Sequence, residues 1–252
     1  MRADWLRPEW RADGVGAVMT TRLGGVSAAP FDTMNLHGGI GDDASAIARN
    51  RALLAQTMGA AAVFLKQVHG ATVVQLSLPD AAPDAAVHVA DASITTELGL
   101  ACTVLVADCL PVLFAAPRGR GVAAAHAGWR GLSLGVLEAT VLRLCEAAAC
   151  EPAELRAWLG ACIGPRRFEV GPDVLNAFGV KPEAATPDRF KPHAPGKWMA
   201  NLPLLASDRL RAIGVDAISG GSWCTVEDRA RFFSFRRDGL TGRMAASVWI
   251  GV

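Results

Sequence analysis

The sequence predicts a single α+β domain of sandwiched, antiparallel or mixed β-sheets with helices packed on them. Three observations carry this. The 252 residues suit one large domain or two small ones, at about 100–200 residues per domain, and no clean linker divides them. Hydrophobic residues make up 51% and charged residues 19%, against roughly 25% charged in an average globular chain, which favours a packed core over disorder. Apolar runs of strand type, broken by Gly-rich turns, mix irregularly with a few segments of helical period, so neither an internal repeat nor a regular βαβ series is present.

Taken in order, Gly14 to Thr21 reads as a strand and leads into a polar, Gly-rich loop through Gly41. A helix starts at Asp42 or Asp43, either of which can cap it; Ile47, Leu54 and Met58 share one face, and Gly59 ends it. Ala62 to Val68 and Thr72 to Leu76 read as strands meeting at His69-Gly70, and Val87 to Thr95 as another. Thr103 to Ala107, Val112 to Ala115 and Val122 to Ala125 continue the strands. Leu134, Leu137, Val141 and Leu144 then mark one face of a helix running to about Ala149. Leu155 to Cys162 reads as a strand, Pro172 to Phe178 as a short helix and Lys181 to Lys197 as a Pro-rich loop. Met199 to Ile213 reads as a helix with Pro203 in its first turn, where proline is tolerated, followed by strands near Asp216 to Ser219 and Met244 to Ile250.

Gly99 to Pro117 is as long as a membrane span and carries a single charge. Asp108 and Pro111 at its centre, with β-branched and aliphatic runs on both sides, instead indicate two buried strands joined at Asp108-Cys109-Leu110-Pro111. The 25 basic and 24 acidic residues leave a formal net charge of +1, so no global field gathers nucleic acid or anionic lipid. Yet 21 of the 25 basic residues are Arg, whose planar fork grips carboxylate or phosphate, which leaves a small anionic ligand open. The first ten residues lack a basic-then-apolar export pattern, and a cytoplasmic protein is expected. In that reducing compartment the six cysteines, with no CxxC pair among them, are expected as core thiols, ligands or nucleophiles.

Gln67-Val68-His69-Gly70, Asp108-Cys109 and His126-Ala127-Gly128-Trp129-Arg130 each set a potential ligand at the end of an apolar strand, where a sheet presents side chains at its rim. Two imidazoles and a thiolate suit a three-ligand Zn or Cu site with an open fourth position. The gaps of 40 and 17 residues match no local metal-finger spacing. Singly, a Cys after an apolar strand is usually core filler and a His beside Gly a turn residue; only their common position at strand ends groups them. Cys109 with His126 reads equally as a nucleophile with its base.

Further motifs accompany these: Thr20-Thr21-Arg22-Leu23-Gly24-Gly25-Val26-Ser27, Asn35-Leu36 with Gly41-Asp42-Asp43, Ala107 to Phe114, Ala124 to Gly131, and Ser234-Phe235-Arg236-Arg237-Asp238-Gly239 with Arg243. Together with the Gln-Val-His-Gly motif they resemble the successive signatures of the YfiH family, also called the laccase-domain or multicopper polyphenol oxidoreductase family. The resemblance runs from about Gly14 to the C-terminus. It implies one domain over 1–252, distantly akin to the catalytic domain of cytotoxic necrotizing factor, and metal ligands His69, Cys109 and His126 holding Zn or Cu. It also implies a purine nucleoside phosphorylase acting with phosphate on adenosine, inosine and S-methyl-5′-thioadenosine, with adenosine deaminase activity besides. Other descriptions of the family name a laccase or a role in peptidoglycan precursor editing. Some members carry a His before the Gly-Asp-Asp, where this chain has Gly39 and, two residues earlier, His37, so no role passes to His37 by resemblance.

For such an enzyme the expected substrate-binding residues are Arg22 for the anion, Ser27 and Asn35 for ribose hydroxyls or the base edge, and Gln67 and Arg236; Arg237 and Arg243 are weaker candidates. Asp108 is expected to orient a ligand rather than shuttle a proton, since consecutive residues on an extended strand point to opposite faces. A laccase is disfavoured by stoichiometry: one His/Cys/His cluster holds at most one copper, and five histidines cannot build the multinuclear centre that reducing oxygen requires. A metal-free Cys109/His126 hydrolase leaves His69 unexplained. A binding module anchored on Trp129 and Trp158 competes with the simpler reading of both as packing residues.

Overall fold

In this computed structural model residues 4–251 are described, and residues 1–3 and 252 of the expected 1–252 domain lie outside them. The chain begins with β1 (Val15–Met19), α1 (Ala44–Met58), β2 (Ala61–Phe64), β3 (Val73–Gln75) and β4 (Ala92–Thr95). It continues through β5 (Leu100–Val106), β6 (Leu110–Ala115), β7 (Val122–Ala127), α2 (Trp129–Ser133), α3 (Val136–Ala148) and β8 (Arg156–Leu159). The remaining elements are β9 (Glu169–Val170), α4 (Pro172–Ala177), β10 (Phe190–Ala194), β11 (Lys197–Ala200), α5 (Leu202–Ala212), β12 (Ala217–Gly220), α6 (Phe235–Asp238) and β13 (Met244–Ile250).

Two large sheets, ordered β1-β13-β5-β2 and β12-β8-β6-β7-β4-β3, are accompanied by a small sheet, β10-β11-β9, whose buried residues pack in the same cluster as α3. Both large sheets are mixed: β2 with β5, β3 with β4 and β12 with β8 run parallel, and their other pairs antiparallel. The period-2 alternation of the strands divides the core into layers. On β7, Val122 and Ala124 face the four-stranded sheet, where they meet Cys102, Val104 and Val248, whereas Ala123, Ala125 and Ala127 face Leu137, Val141 and Leu144 of α3. The far face of the four-stranded sheet, through Val18, Ala101 and Ala245, packs on Leu54 and Met58 of α1. The order is therefore helix, sheet, sheet, helices. Small Ala side chains on β7 let two layers approach a strand buried on both faces.

The expected α+β sandwich is the observed one, and the apolar stretch around Asp108 is two buried strands, β5 and β6, in different sheets. Among the described residues no helix is long and apolar enough to cross a membrane. Asp43, not Asp42, caps α1 by accepting from Ser45 N. Trp158 lies buried in the layer between the sheets.

Four local expectations change. The strand expected to reach Val68 ends at Phe64, because from there the Gln67 side chain replaces backbone pairing: its amide donates to Leu105 O and accepts from Leu105 N. The expected Pro-rich loop contains the β10–β11 hairpin; Pro192 is accommodated where the register shifts, on an exposed edge strand that needs no N–H there. Consequently α5 starts at Leu202 rather than Met199, capped by the Asn201 side chain accepting from Leu204 N. Leu134 is 67% exposed and off the α3 face, since it ends α2 and Gly135, at φ 92°, turns the chain before α3 begins.

Candidate metal centre and substrate cavity

His126 is carried by β7, in register with Pro111 of β6 on one side; on the other its N–H donates to the carbonyl of Asp91, the residue before β4. Alternation puts its ring on the same face as Val122 and Ala124, at the mouth of the space between the two sheets. Cys109 sits in the short passage where the chain leaves β5 in one sheet and enters β6 in the other, after Asp108 at φ 88°. His69 comes from the turn between β2 and β3, itself at φ 61°. The ligand atoms of the three residues all lie within 4.8 Å of one another, with Cys109 Sγ 3.8 Å from His69 Nε2 and the two imidazoles edge to face.

Asp91, which the sequence reading did not single out, organises two of them. One carboxylate oxygen accepts from His69 N at 2.8 Å and from His126 Nδ1 at 2.9 Å; the other accepts from Val68 N and Gly70 N at 3.1 and 2.7 Å. Its burial works to raise the carboxyl pKa, but the hydrogen bonds from His126 and from backbone N–H groups outweigh that and hold it below the ordinary value. An ionised carboxylate only accepts, so Nδ1 of His126 keeps its proton and Nε2 turns toward Cys109. The signal available in the sequence was a lone acid inside the apolar run Val87 to Thr95.

Burial also opposes ionisation of Cys109, yet the charge of His126 and hydrogen bonds from both imidazoles draw the thiol well below its usual range. For His126 burial acts downward, and the facing thiolate together with Asp91 raises it. A thiolate already favoured in place, with two imidazoles aimed at it, is the donor set a Zn or Cu ion takes. Two donors about 2.0–2.3 Å from a tetrahedral ion stand roughly 3.5 Å apart, near the 3.8 Å between Cys109 and His69. The residues fit the ion. Gly128 follows from the same crowding: a Cβ there would lie 2.9 Å from Cys109 Sγ.

The cluster opens into a cavity of about 700 Å³, walled by Phe64, Leu105 and Phe235 and bearing His37, Arg51, Lys66 and Arg243. A smaller one of about 260 Å³, with Trp129, Phe168 and Arg236, meets it at His69, Cys109 and Phe235. Asp108 faces away from the cluster: its carboxylate accepts from Thr225 Oγ1 and from Arg236 N, fixing the start of α6, which carries Phe235 to both cavities.

Of the expected substrate-binding residues, Gln67 lines the larger cavity with its amide committed to Leu105, and Arg236 lines the smaller one with NH1 donating to Glu169 O. Arg22 lines neither cavity; its guanidinium is held by Asp32 and by the carbonyl of Arg229. Ser27 and Asn35 are buried. Ser27 donates to Asp42, and Asn35 donates to Asp42 and His37 O while accepting from His37 N and Arg243 N. These three are structural partners of the loop that carries His37, and the cavity residues His37 and Arg51 were not among the expected ones.

The family model described as multi-copper polyphenol oxidoreductase laccase matches residues 16–251. A Pseudomonas aeruginosa protein named purine nucleoside phosphorylase is 48% identical over 248 residues, covering 98% of each chain. The Escherichia coli purine nucleoside phosphorylase YfiH is 44% identical over 246 residues, 96% of this chain and 97% of the relative. Among solved structures, a Neisseria meningitidis protein superposes with a TM-score of 0.90 at 42% identity over 99% of this chain and 100% of that one. YlmD from Geobacillus stearothermophilus follows with 0.89 at 32% identity, covering 98% and 96%.

Proposed function

This chain belongs to the multi-copper polyphenol oxidoreductase laccase family, and on that premise we propose that it is a purine nucleoside phosphorylase working at the His69/Cys109/His126 cluster. The substrates we assign are adenosine, inosine and S-methyl-5′-thioadenosine with inorganic phosphate, and deamination of adenosine is a second activity. The observation that carries the reading is the meeting of three donors, distant in sequence, at the inner end of a cavity large enough for a nucleoside and bearing only cationic charge besides them. The laccase of the family's description is the weaker reading, because among the described residues this is the one group of three or more His, Cys, Asp or Glu side chains able to hold a metal. The free thiol of Cys109 suits a reducing compartment, and we assign the protein to the cytoplasm.

In phosphorolysis an oxygen of the phosphate dianion forms a bond to C1′ of the ribose as the glycosidic C–N pair leaves with the purine, which takes up the proton the phosphate gives up. His69, Cys109 and His126 would hold Zn or Cu, which supplies Lewis acidity to a substrate oxygen when bound. Asp91 keeps the proton on His126 Nδ1 and fixes both imidazoles. Phe64, Leu105 and Phe235 enclose the sugar in apolar walls, which strengthens every charge interaction on it.

Purified protein incubated with adenosine, with and without phosphate, tests the reading by chromatography. Adenine and ribose 1-phosphate form only with phosphate, and inosine forms in either case. Oxygen uptake on a phenol without nucleoside turnover would overturn it. The depressed Cys109 thiol favours one second reading, a nucleophile with His126 as its base. Loss of activity in Cys109→Ser at full metal occupancy would select that reading.

A further inference from the structure

The larger cavity carries more positive charge than its donors neutralise. No Asp or Glu lines it, yet Arg51 and Arg243 both do, each half-buried. Neither has a carboxylate partner among the described residues. Arg51 donates from Nε to Leu36 O at 3.0 Å and lies over the Phe64 ring; Arg243 donates from NH1 to Thr241 O and Gly242 O at 2.8 and 3.1 Å and lies over Phe235. Each side chain is therefore pinned in place by a carbonyl and an aromatic face, with N–H groups to spare. Several fixed arginines contrast with these: Arg22 rests on Asp32, Arg189 on Asp208, Arg209 on Glu138 and Arg237 on Asp238, whereas Arg236, held by Glu169 O over the Phe168 ring, shares the pattern but lines the smaller cavity.

We infer that Arg51 and Arg243, with His37 beside them, form the subsite for inorganic phosphate, the attacking co-substrate of the proposed phosphorylase. Burying two guanidiniums with no carboxylate paired to either, Arg243 feeling only the unbonded charges of Cys109 and Asp108, is unfavourable unless a ligand supplies further charge, and a phosphate dianion matches both their charge and their forked donors. Burial lowers both arginine pKa values from their ordinary range, as it does that of His37, which the charges of Arg243 and Arg51 lower further. His37 is thereby kept neutral, adding a donor to the anion without adding charge. The three positions are locked together by Asn35, which binds His37 N, His37 O and Arg243 N, and by Asn50, the neighbour of Arg51, which donates to Asn35 O. Exposed Lys66 at the same cavity draws anions in but has no such anchoring.

The inference rests on the phosphorylase reading, and two measurements keep their failures apart. The first is binding of inorganic phosphate alone, read by thermal shift; adenosine 5′-monophosphate is the comparison ligand. The second is steady-state kinetics with phosphate or adenosine varied. Arg243→Gln and Arg51→Gln should each raise the KM for phosphate at least about tenfold, with the KM for adenosine within about twofold, and should abolish the phosphate-induced shift. Arg51→Lys and Arg243→Lys, which keep the charge and lose the fork, should fall between, and melts without phosphate identify a variant that fails to fold. Raised adenosine KM at unchanged phosphate KM overturns the subsite, as does stabilisation by the nucleotide but not by phosphate. If phosphate binds through both arginines while adenosine yields no phosphate-dependent adenine, the subsite stands and the phosphorylase reading falls.

Discussion

Two aspartates flank the cluster and do opposite jobs. Asp91 is wholly buried, faces inward and gathers His126 with the three backbone N–H groups of the His69 turn. Asp108, next in sequence to Cys109 and also buried, gives its carboxylate to neither imidazole and ties its own turn to Thr225 and to the first turn of α6. One carboxylate thus sets the ligands against each other, and the other sets the cavity wall against the ligands. Proximity in sequence to a reactive residue is therefore a poor guide to the residue that orients it. Asp91 is 22 residues from His69 and 35 from His126, and it governs both.

The strongest way to break the comparison is Asp91→Asn. Each carboxylate oxygen accepts two hydrogen bonds, so an amide in its place sets an NH2 against two donors, leaving them unsatisfied at about 1–3 kcal/mol each. Loss of bound metal, loss of nucleoside turnover and a destabilisation of about 3–5 kcal/mol are expected together. Elemental analysis and urea unfolding check them. Retained metal at full stoichiometry would mean that the ligands do not depend on Asp91.

The two histidines sharpen the same point, because Asp91 serves a core strand on one side and an exposed turn on the other. His126→Ala empties a buried position and leaves Asp91 short of a donor, so metal is lost along with on the order of 2 kcal/mol of stability. His69→Gly also removes a ligand, but at φ 61° glycine relieves left-handed strain, and stability should rise by about 0.5–1 kcal/mol. Unfolding curves of opposite sign with the same metal loss are the expected result.

Much of the fold and the ligand set was legible in the sequence. Strands buried on both faces read as apolar runs, and the three candidate ligands stand at the ends of such runs, with Gly128 two residues after His126 leaving room for Cys109 Sγ. What was not legible depended on tertiary pairing. Gln67 looks like a substrate contact beside His69, but its amide takes the place of a strand partner for Leu105, which no local pattern encodes. Arg22 looks like an anion holder in a Gly-rich loop until Asp32, ten residues on, folds back to occupy it. Nothing in the sequence sets Arg51 apart, and Arg243 reads only as a weaker candidate; the packed sheets bring both to one cavity.

A middle-sized effect is expected at Gly128, which lies against Cys109 rather than against either aspartate. In Gly128→Ala the added Cβ would meet Cys109 Sγ at 2.9 Å and His69 Cδ2 at 3.3 Å, so the thiol must move although every ligand and both carboxylates remain. Metal affinity should fall by roughly tenfold, with about 1–3 kcal/mol of overpacking strain. Competition with a chelator measures the first and thermal unfolding the second; unchanged affinity would show that the thiol has room to rotate.

The smallest effect on the ligands is expected on the Asp108 side. Thr225→Val removes the hydroxyl that donates to Asp108 while keeping the side chain's shape, and Arg236 N still donates to the other carboxylate oxygen. Losing a hydrogen bond to a charged group costs about 1.5–3 kcal/mol in stability, but neither His69 nor His126 touches Asp108, so metal content should stay at the wild-type level. The consequence appears in the wall: α6 is less firmly held where Phe235 borders both cavities, and the KM for adenosine should rise about two- to fivefold with kcat little changed. Metal loss equal to that of Asp91→Asn would erase the distinction, because Asp108 would then be orienting ligands as Asp91 does.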